Sequence, residues 1–256
     1  MFKRLLHISP RALLQTRGTS TDPKLSSVFR DIKSYLRYAK AKGLSPLSTV
    51  FRGTLYEMSA MEVLRRDLKI QNLSHVGGAF DNGLDLIGSW SLSGRVAPEY
   101  VDLDVKPATR TVLGTRVTPL LTRNLLQDVR VIVQCKAYTQ KITAATVREL
   151  AGTYQFVVHR VEKNRTLFLL VAPVGMTPQG MAQTNRSNFP IIYVRIEESV
   201  PVSTRLNKGD EYDPRNYPLG KMIAFYCNPY ARTLLEGLTV VADSKKIVVA
   251  SENSEV

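Results

Sequence analysis

Two polar residues stand one apart in a run of strand-forming apolar residues, DVRVIVQCKAY at residues 128–138. Side chains alternate across a strand, so Gln134 and Lys136 share one face while Val133, Cys135 and Ala137 share the other. An amide oxygen can ligate a hard cation and an ammonium can neutralise an anion, which together make half of a metal-assisted phosphodiester site. The other half is a carboxylate on a neighbouring strand. Asp85 in DNGLDLIG supplies one, near the start of a second strand, with Asp81, Asn82 and Gly83 forming the turn before it. Mg2+ (or Mn2+) takes oxygen ligands, here the Asp85 carboxylate, Gln134 Oε1, the Cys135 backbone carbonyl and water. Such a metal acidifies a bound water and polarises a phosphate oxygen, while Lys136 orients that water or offsets charge building on phosphorus. Glu57, in GTLYEMSAMEVL, lies on the preceding helix beside its apolar stripe, where it could hold a second metal or a water. Taken singly, Asp85 also reads as an exposed turn aspartate and Glu57 as a solvated helical glutamate.

The same spacing recurs elsewhere. Asp31-Ile-Lys33 and Asp67-Leu-Lys69 fall on helices, where residues i and i+2 do not face one another. Asp104-Val-Lys106, in VDLDVKP, alternates as a strand should and is the serious competitor. The valine and isoleucine run around Gln134 marks its strand as central, and a helix follows it directly. Arg148 and Gln155, two turns apart on that helix and away from Val147, Leu150, Tyr154 and Val158, are candidates for phosphate contact or for a plain surface role. Lys141 and Arg116 join them as nucleic-acid-binding candidates. His75 and His159 show no partner at catalytic or ligand spacing and read as packing residues. Cys135 and Cys227 have no zinc spacing and read as buried small hydrophobes.

These residues need a scaffold. Apolar spacing predicts helices over 24–41, 49–67, 144–160 and 178–185, and a short one after Pro229. Strands are expected at 70–76, 84–92, 128–138, 166–172, 190–196, 222–227 and 246–251. Residues 93–127, broken by Gly94, Pro98, Pro107, Gly114 and Pro119, read as a long insertion with a strand or two. Helix, three strands, helix, strand is the order of an α/β sandwich with mixed pairing.

A chain of 256 residues with 44% hydrophobic content can bury one substantial core, so disorder is excluded as its main state. No apolar run reaches the length of a membrane span. The first 21 residues carry Lys3, Arg4, Arg11 and Arg17, no acid, and an apolar side from Phe2, Leu5, Leu6, Leu13 and Leu14. That is the composition of a mitochondrial presequence, and a matrix location follows from it as an expectation. A basic first helix is the other reading. Removing these four charges from a net +13 leaves +9, a surplus that favours a polyanionic partner, nucleic acid or an anionic membrane surface.

The order GTLYE on a helix, DNGLD opening a strand and VQCK on the next strand resembles the Mrr-like branch of the PD-(D/E)XK nucleases. VRELAGTY and TPQGMAQTNRSNFPIIYV extend the resemblance over residues 50–196. With the presequence and the C-terminal extension, the chain is also similar to the fungal mitochondrial required-for-respiratory-growth group. The resemblance implies a restriction-endonuclease-like α/β sandwich, with a central mixed β-sheet flanked by helices. It implies that Asp85, Gln134 and Lys136 are catalytic and that Glu57 supports them. Leu84 stands where the superfamily has its proline, and residues 86–133 separate Asp85 from Gln134 where a short hairpin is typical. The insertion then reads as a DNA-gripping element, given Arg95, Lys106, Arg110, Arg116 and Arg123, or as a cover over a disused site. The expected organisation is a presequence (1–21), an N-terminal helix (22–46), the core (47–200, with its insertion at 93–127) and an extension (201–256).

Three functions follow from this reading. The first is a magnesium-dependent nuclease acting on nucleic acid, DNA foremost, needed for respiratory growth or upkeep of the mitochondrial genome. The second is the same fold kept as a nucleic-acid-binding module, and the third a non-catalytic respiratory assembly factor. A homodimer is one assembly the sequence allows.

Overall fold

The computed structural model describes residues 29–76, 83–101, 106–202 and 210–240. The presequence reading, the Asp81–Asn82 turn, Asp104 and the strand expected at 246–251 lie outside these residues. The first helix, α1 (Ile32–Lys42), starts later than its apolar spacing suggests. Asp31 stops it from running back: its extended backbone and its carboxylate, which accepts the Ser34 N–H, make it the N-cap. Gly43 in the left-handed region closes the other end.

Helix α2 (Thr49–Val63) is capped by Ser48 and continues into a wider turn at Leu64–Leu68, which ends where Lys69 takes φ 57°. Its buried side, with Leu55, Met58 and Met61, covers one face of a six-stranded sheet. The strands are β1 (Gln71–His75), β2 (Leu86–Trp90), β5 (Val129–Cys135), β6 (Thr166–Ala172), β7 (Ile191–Ile196) and β8 (Met222–Cys227). They lie in the order β1-β2-β5-β6-β7-β8. Pairing is antiparallel at β1/β2, β2/β5 and β7/β8, and parallel at β5/β6 and β6/β7. The two parallel crossovers run through α4 (Ala144–Val157) and α5 (Pro178–Asn185), which cover the other face.

Strand β6 is buried along its whole length, as a central strand with helices on both faces must be. Strand β5 divides its side chains between two cores. Val129, Val131 and Val133 pack with α1 and α2, and Ile132 packs with Val147, Leu150 and Tyr154 of α4. Beyond β8, α6 (Pro229–Leu234) is capped by Asn228, whose buried amide also ties α5 to β7.

The insertion folds as a short helix, α3 (Pro98–Val101), and a hairpin, β3 (Arg110–Val112) with β4 (Thr115–Val117). Antiparallel geometry decides where it sits. Asp85 precedes β2 and Gln134 is the last residue but one of β5, so both lie at one end of the sheet, and the connection between the strands leaves from the other end, at Trp90 and Val129. About 17 Å of strand separates the two ends. The described part of the insertion packs on α6 instead: Leu120 N–H bonds to Leu234 O, Ala97 N–H to Gly237 O, and Arg110 pairs with Glu236 at 2.6 Å. This described part packs away from the Gln134 end of the sheet.

Candidate functional site

The site forms where the antiparallel ladder ends. Register places Asp85 opposite Gln134, one step beyond the Leu86–Val133 pair. Asp85 N–H still bonds to Val133 O at 3.0 Å, but the next rung is made by a side chain: Cys135 N–H donates to Asp85 Oδ2 at 2.6 Å. On its other side Val76 N–H donates to Asp85 O at 2.8 Å. Asp85 is thus held between β1 and β5 at its backbone and at one carboxylate oxygen. Lys136 N–H bonds to Val171 O at 2.8 Å, putting the site at the carboxyl ends of the parallel strands. That is where ligands enter open α/β sheets.

Gln134 is buried, and its Oε1 has no hydrogen-bond partner among the described residues. An amide oxygen left this way costs about 1–3 kcal/mol unless a water or an ion satisfies it. Gly83 explains why the amide fits: a Cβ there would lie 3.3 Å from Gln134 Nε2 and 3.2 Å from Thr153 Oγ1 of α4. Its φ of 76° also suits glycine.

Cys135 reports which charges converge. Burial is the largest cause raising its thiol pKa, Asp85 and then Glu57 raise it further, and Lys136 lowers it. The charges of three members of the sequence-derived set, from a helix, a turn and a strand, are thus felt at one sulfur. The thiol itself stays protonated, which removes it as a nucleophile. The Lys136 ammonium lies 5.7 Å from the Tyr138 ring, within reach of its π face.

Glu57 brings a partner that spacing does not reveal. His75 Nε2 lies 2.7 Å from Glu57 Oε2, and the imidazole is buried. A carboxylate only accepts, so the histidine donates. The reading of His75 as a packing residue without a partner is corrected. The alternation of Leu73 and His75 did signal an inward imidazole, but its acceptor is 18 residues away on α2.

Among the described residues no three His, Cys, Asp or Glu side chains are grouped to hold a metal. A cation here would have to take its donors from a mixed set of oxygens: the Asp85 carboxylate, Gln134 Oε1 and the Cys135 carbonyl, with the Glu57 carboxylate as a further candidate. That donor set and the orphaned amide oxygen fit a hard cation such as Mg2+ and do not fit a soft one.

The remaining candidates separate by location. Lys141 is exposed in the loop from β5 to α4, at the site end, and Arg148 and Gln155 are exposed along α4. Arg116 is exposed on β4, at the opposite end of the sheet, and is not brought to Asp85. Arg95 does not face solvent for gripping: it bonds to Val240 O and Leu68 O at 2.8 and 2.9 Å and packs over Trp90. Lys106, of the competing Asp-x-Lys, is exposed in irregular chain. No helix among the described residues is long and apolar enough to cross a membrane.

Comparison with known proteins gives the chain a family. The family described as Required for respiratory growth protein 7 matches residues 48–235, from the cap of α2 to the end of α6. A Zygosaccharomyces rouxii protein named "Required for respiratory growth protein 7, mitochondrial" is 35% identical over 199 residues, covering 74% of this chain and 78% of its own. The protein of that name in Vanderwaltozyma polyspora is 34% identical, covering 75% and 78%, and the one in Saccharomyces cerevisiae 31%, covering 78% and 84%. No solved structure matches the chain. The matched span takes in every residue of the site, and the chain belongs to the Required for respiratory growth protein 7 family.

Proposed function

We propose that this member of a mitochondrial family required for respiratory growth is a metal-dependent nuclease of the PD-(D/E)XK type, Mrr-like branch. Its substrate is nucleic acid, DNA foremost, and it works in the matrix. The observation that carries the reading is the buried Gln134 amide oxygen, without a partner among the described residues, at the carboxyl end of β5 and opposite Asp85. Asp85, Gln134 and the Cys135 carbonyl would hold Mg2+ or Mn2+. When bound, the cation supplies a more acidic water and an electrophilic phosphate.

The chain's own groups do the rest. Asp85 keeps its position because its carboxylate is pinned by the Cys135 N–H. Glu57, fixed by His75, accepts a hydrogen bond from the attacking water and limits its orientations. Lys136 offsets the negative charge that grows on the phosphoryl oxygens as water adds and the ester oxygen leaves. Lys141, Arg148 and Gln155 extend the cationic and polar surface away from the site, along the backbone of the bound strand. The test is direct: the purified chain is incubated with duplex and single-stranded DNA and RNA, with Mg2+, with Mn2+, and with EDTA. Cleavage that requires the divalent cation supports the reading; intact substrate in every arm removes it.

A second reading keeps the fold without turnover, as a nucleic-acid-binding module or a respiratory assembly factor. The Asp85 carboxylate favours it in one respect, since one oxygen already serves the backbone of β5. The family's printed name states a requirement and no reaction.

A further inference from the structure

Beside the site, on the outer side of β1, lies a cavity of about 610 Å³. Phe29, Arg30, Arg65, Leu73, Ser74 and His75 are in its wall. The volume is within the range of small-ligand sites, roughly 300–1,000 Å³. Its wall adjoins the site directly: His75 holds Glu57, and the next residue, Val76, donates to the Asp85 carbonyl.

The charges in this wall are one-sided. Among the described residues no carboxylate lines the cavity and neither Arg30 nor Arg65 has an ion pair. Arg65 is aimed by backbone carbonyls: Nη1 donates to Arg30 O at 3.1 Å and Nη2 donates to Leu73 O. Two carbonyls orient a guanidinium without cancelling its charge. The bond to Leu73 O also occupies an outward acceptor of β1, so this edge strand is closed to strand addition there. Phe29 contributes an aromatic wall, 6.1 Å from the His75 ring and 4.8 Å from Tyr38.

We propose that this cavity binds one nucleotide, its base against Phe29 and its phosphate on Arg30 and Arg65. Two guanidiniums without counter-charges select an anion, and an aromatic wall selects a flat ring. A nucleotide unites the two. The site's position next to Glu57 and Asp85 makes the ligand a unit of the substrate strand whose base is unpaired, so the pocket gives the enzyme a preference for single-stranded or locally opened nucleic acid. This deepens the nuclease reading and rests on it for the role, while the binding itself stands apart from cleavage.

The experiment uses the full chain in EDTA, where nothing is cut, and single-stranded oligonucleotides of about 12 nucleotides carrying one 2-aminopurine at successive positions. Emission is expected to change at one position. Among the described residues Arg30 is held through its backbone, its N–H donating to Ser34 Oγ and its carbonyl accepting from Arg65, so Arg30→Glu leaves both contacts in place and is expected to weaken binding about tenfold or more, with Arg30→Lys within about threefold of the parent. Unfolding midpoints of both variants, measured alongside, show that they remain folded. Deoxyadenosine monophosphate that displaces the oligonucleotide identifies a free nucleotide as a ligand; no displacement at millimolar concentration, with Arg30-dependent oligonucleotide binding intact, identifies the strand unit. Inorganic phosphate displacing as well as the nucleotide does would overturn base recognition. Equal binding by parent and Arg30→Glu, or no position-specific emission change, overturns the pocket. Cleavage in Mg2+ is read separately: loss of the Arg30 effect with cleavage intact removes only the pocket, and Arg30-dependent binding without cleavage removes only the nuclease.

Discussion

Glu57 Oε2 and His75 Nε2 are 2.7 Å apart, joining a helix on one face of the sheet to the inward side of its edge strand. The pair fixes a carboxylate that would otherwise sample several rotamers at the mouth of the site. His75→Phe keeps the ring volume and removes the donor, and is expected to cost about 1–3 kcal/mol, read as a lower urea midpoint. Its effect on cleavage should be smaller than that of Asp85→Asn. A variant as stable as the parent would show that the hydrogen bond contributes nothing.

Gln134 sets function against stability. Replacing it by Leu fills the same space and removes an amide oxygen that has no partner among the described residues. The expected outcome is a gain of about 1–2 kcal/mol in metal-free buffer together with loss of Mg2+ binding. Chemical denaturation with and without Mg2+ reads both at once. A variant destabilised by more than about 1 kcal/mol would mean that the amide is satisfied in solution and that the vacancy inferred at Oε1 is absent.

Elements with plain local signals were legible: 166–172, 178–185 and 222–227 are found where spacing put them, the first because central burial demands an apolar run, the second because Thr177 and Pro178 mark a helix start, the third as an apolar run at the sheet edge. Cap chemistry overrode periodicity at Asp31, which starts α1 later than its apolar pattern implies. The convergence of Asp85, Gln134 and Lys136 at one sheet end was readable from alternation and antiparallel pairing. The role of the insertion was not, since the end from which it leaves depends on the direction of β2 relative to β5. His75 and the pocket beside it depend on contacts between α2, β1 and the chain before α1, for which spacing carries no signal.

Asn228 should be among the least replaceable residues outside the site. Its Oδ1 accepts from Ile191 N–H and Ala231 N–H, and its Nδ2 lies within bonding distance of the Thr184, Ser187 and Phe189 carbonyls, all in the interior. Asn228→Ala strands several of these groups and removes a helix cap, so a loss of about 3 kcal/mol or more is expected. A shift of the urea midpoint corresponding to under about 1 kcal/mol would mean that water replaces the side chain.

Both thiols should be slow to react in the native state. Burial pushes the Cys227 pKa up to about 12, and burial with Asp85 and Glu57 raises that of Cys135. A raised thiol pKa means that the nucleophilic thiolate is scarce at neutral pH and grows only as pH rises towards that value. Iodoacetamide at pH 8, followed by mass spectrometry, is expected to modify neither cysteine until denaturant is added. Rapid labelling of Cys135 in the folded protein would show that the site opens around it.

Asp85 and Lys136 separate metal binding from transition-state stabilisation. Asp85→Asn retains an oxygen to accept the Cys135 N–H, so the fold is expected to survive while the charge that attracts the cation is gone. Mg2+ affinity and cleavage should fall together. Lys136→Ala leaves the oxygen donors in place and removes the ammonium near Tyr138, so Ca2+ or Mn2+ binding should persist and cleavage should drop by roughly two to three powers of ten, about 3–4 kcal/mol. Nucleic-acid affinity measured in Ca2+ should stay within about tenfold, because it rests on many phosphate contacts. Lys106→Ala and Arg116→Ala serve as controls, one in irregular chain and one at the far end of the sheet, and both should cut within a few-fold of the parent. If Lys106→Ala is as damaging as Lys136→Ala, the chemistry belongs to the other Asp-x-Lys; if Lys136→Ala cuts normally, the ammonium has no part in it.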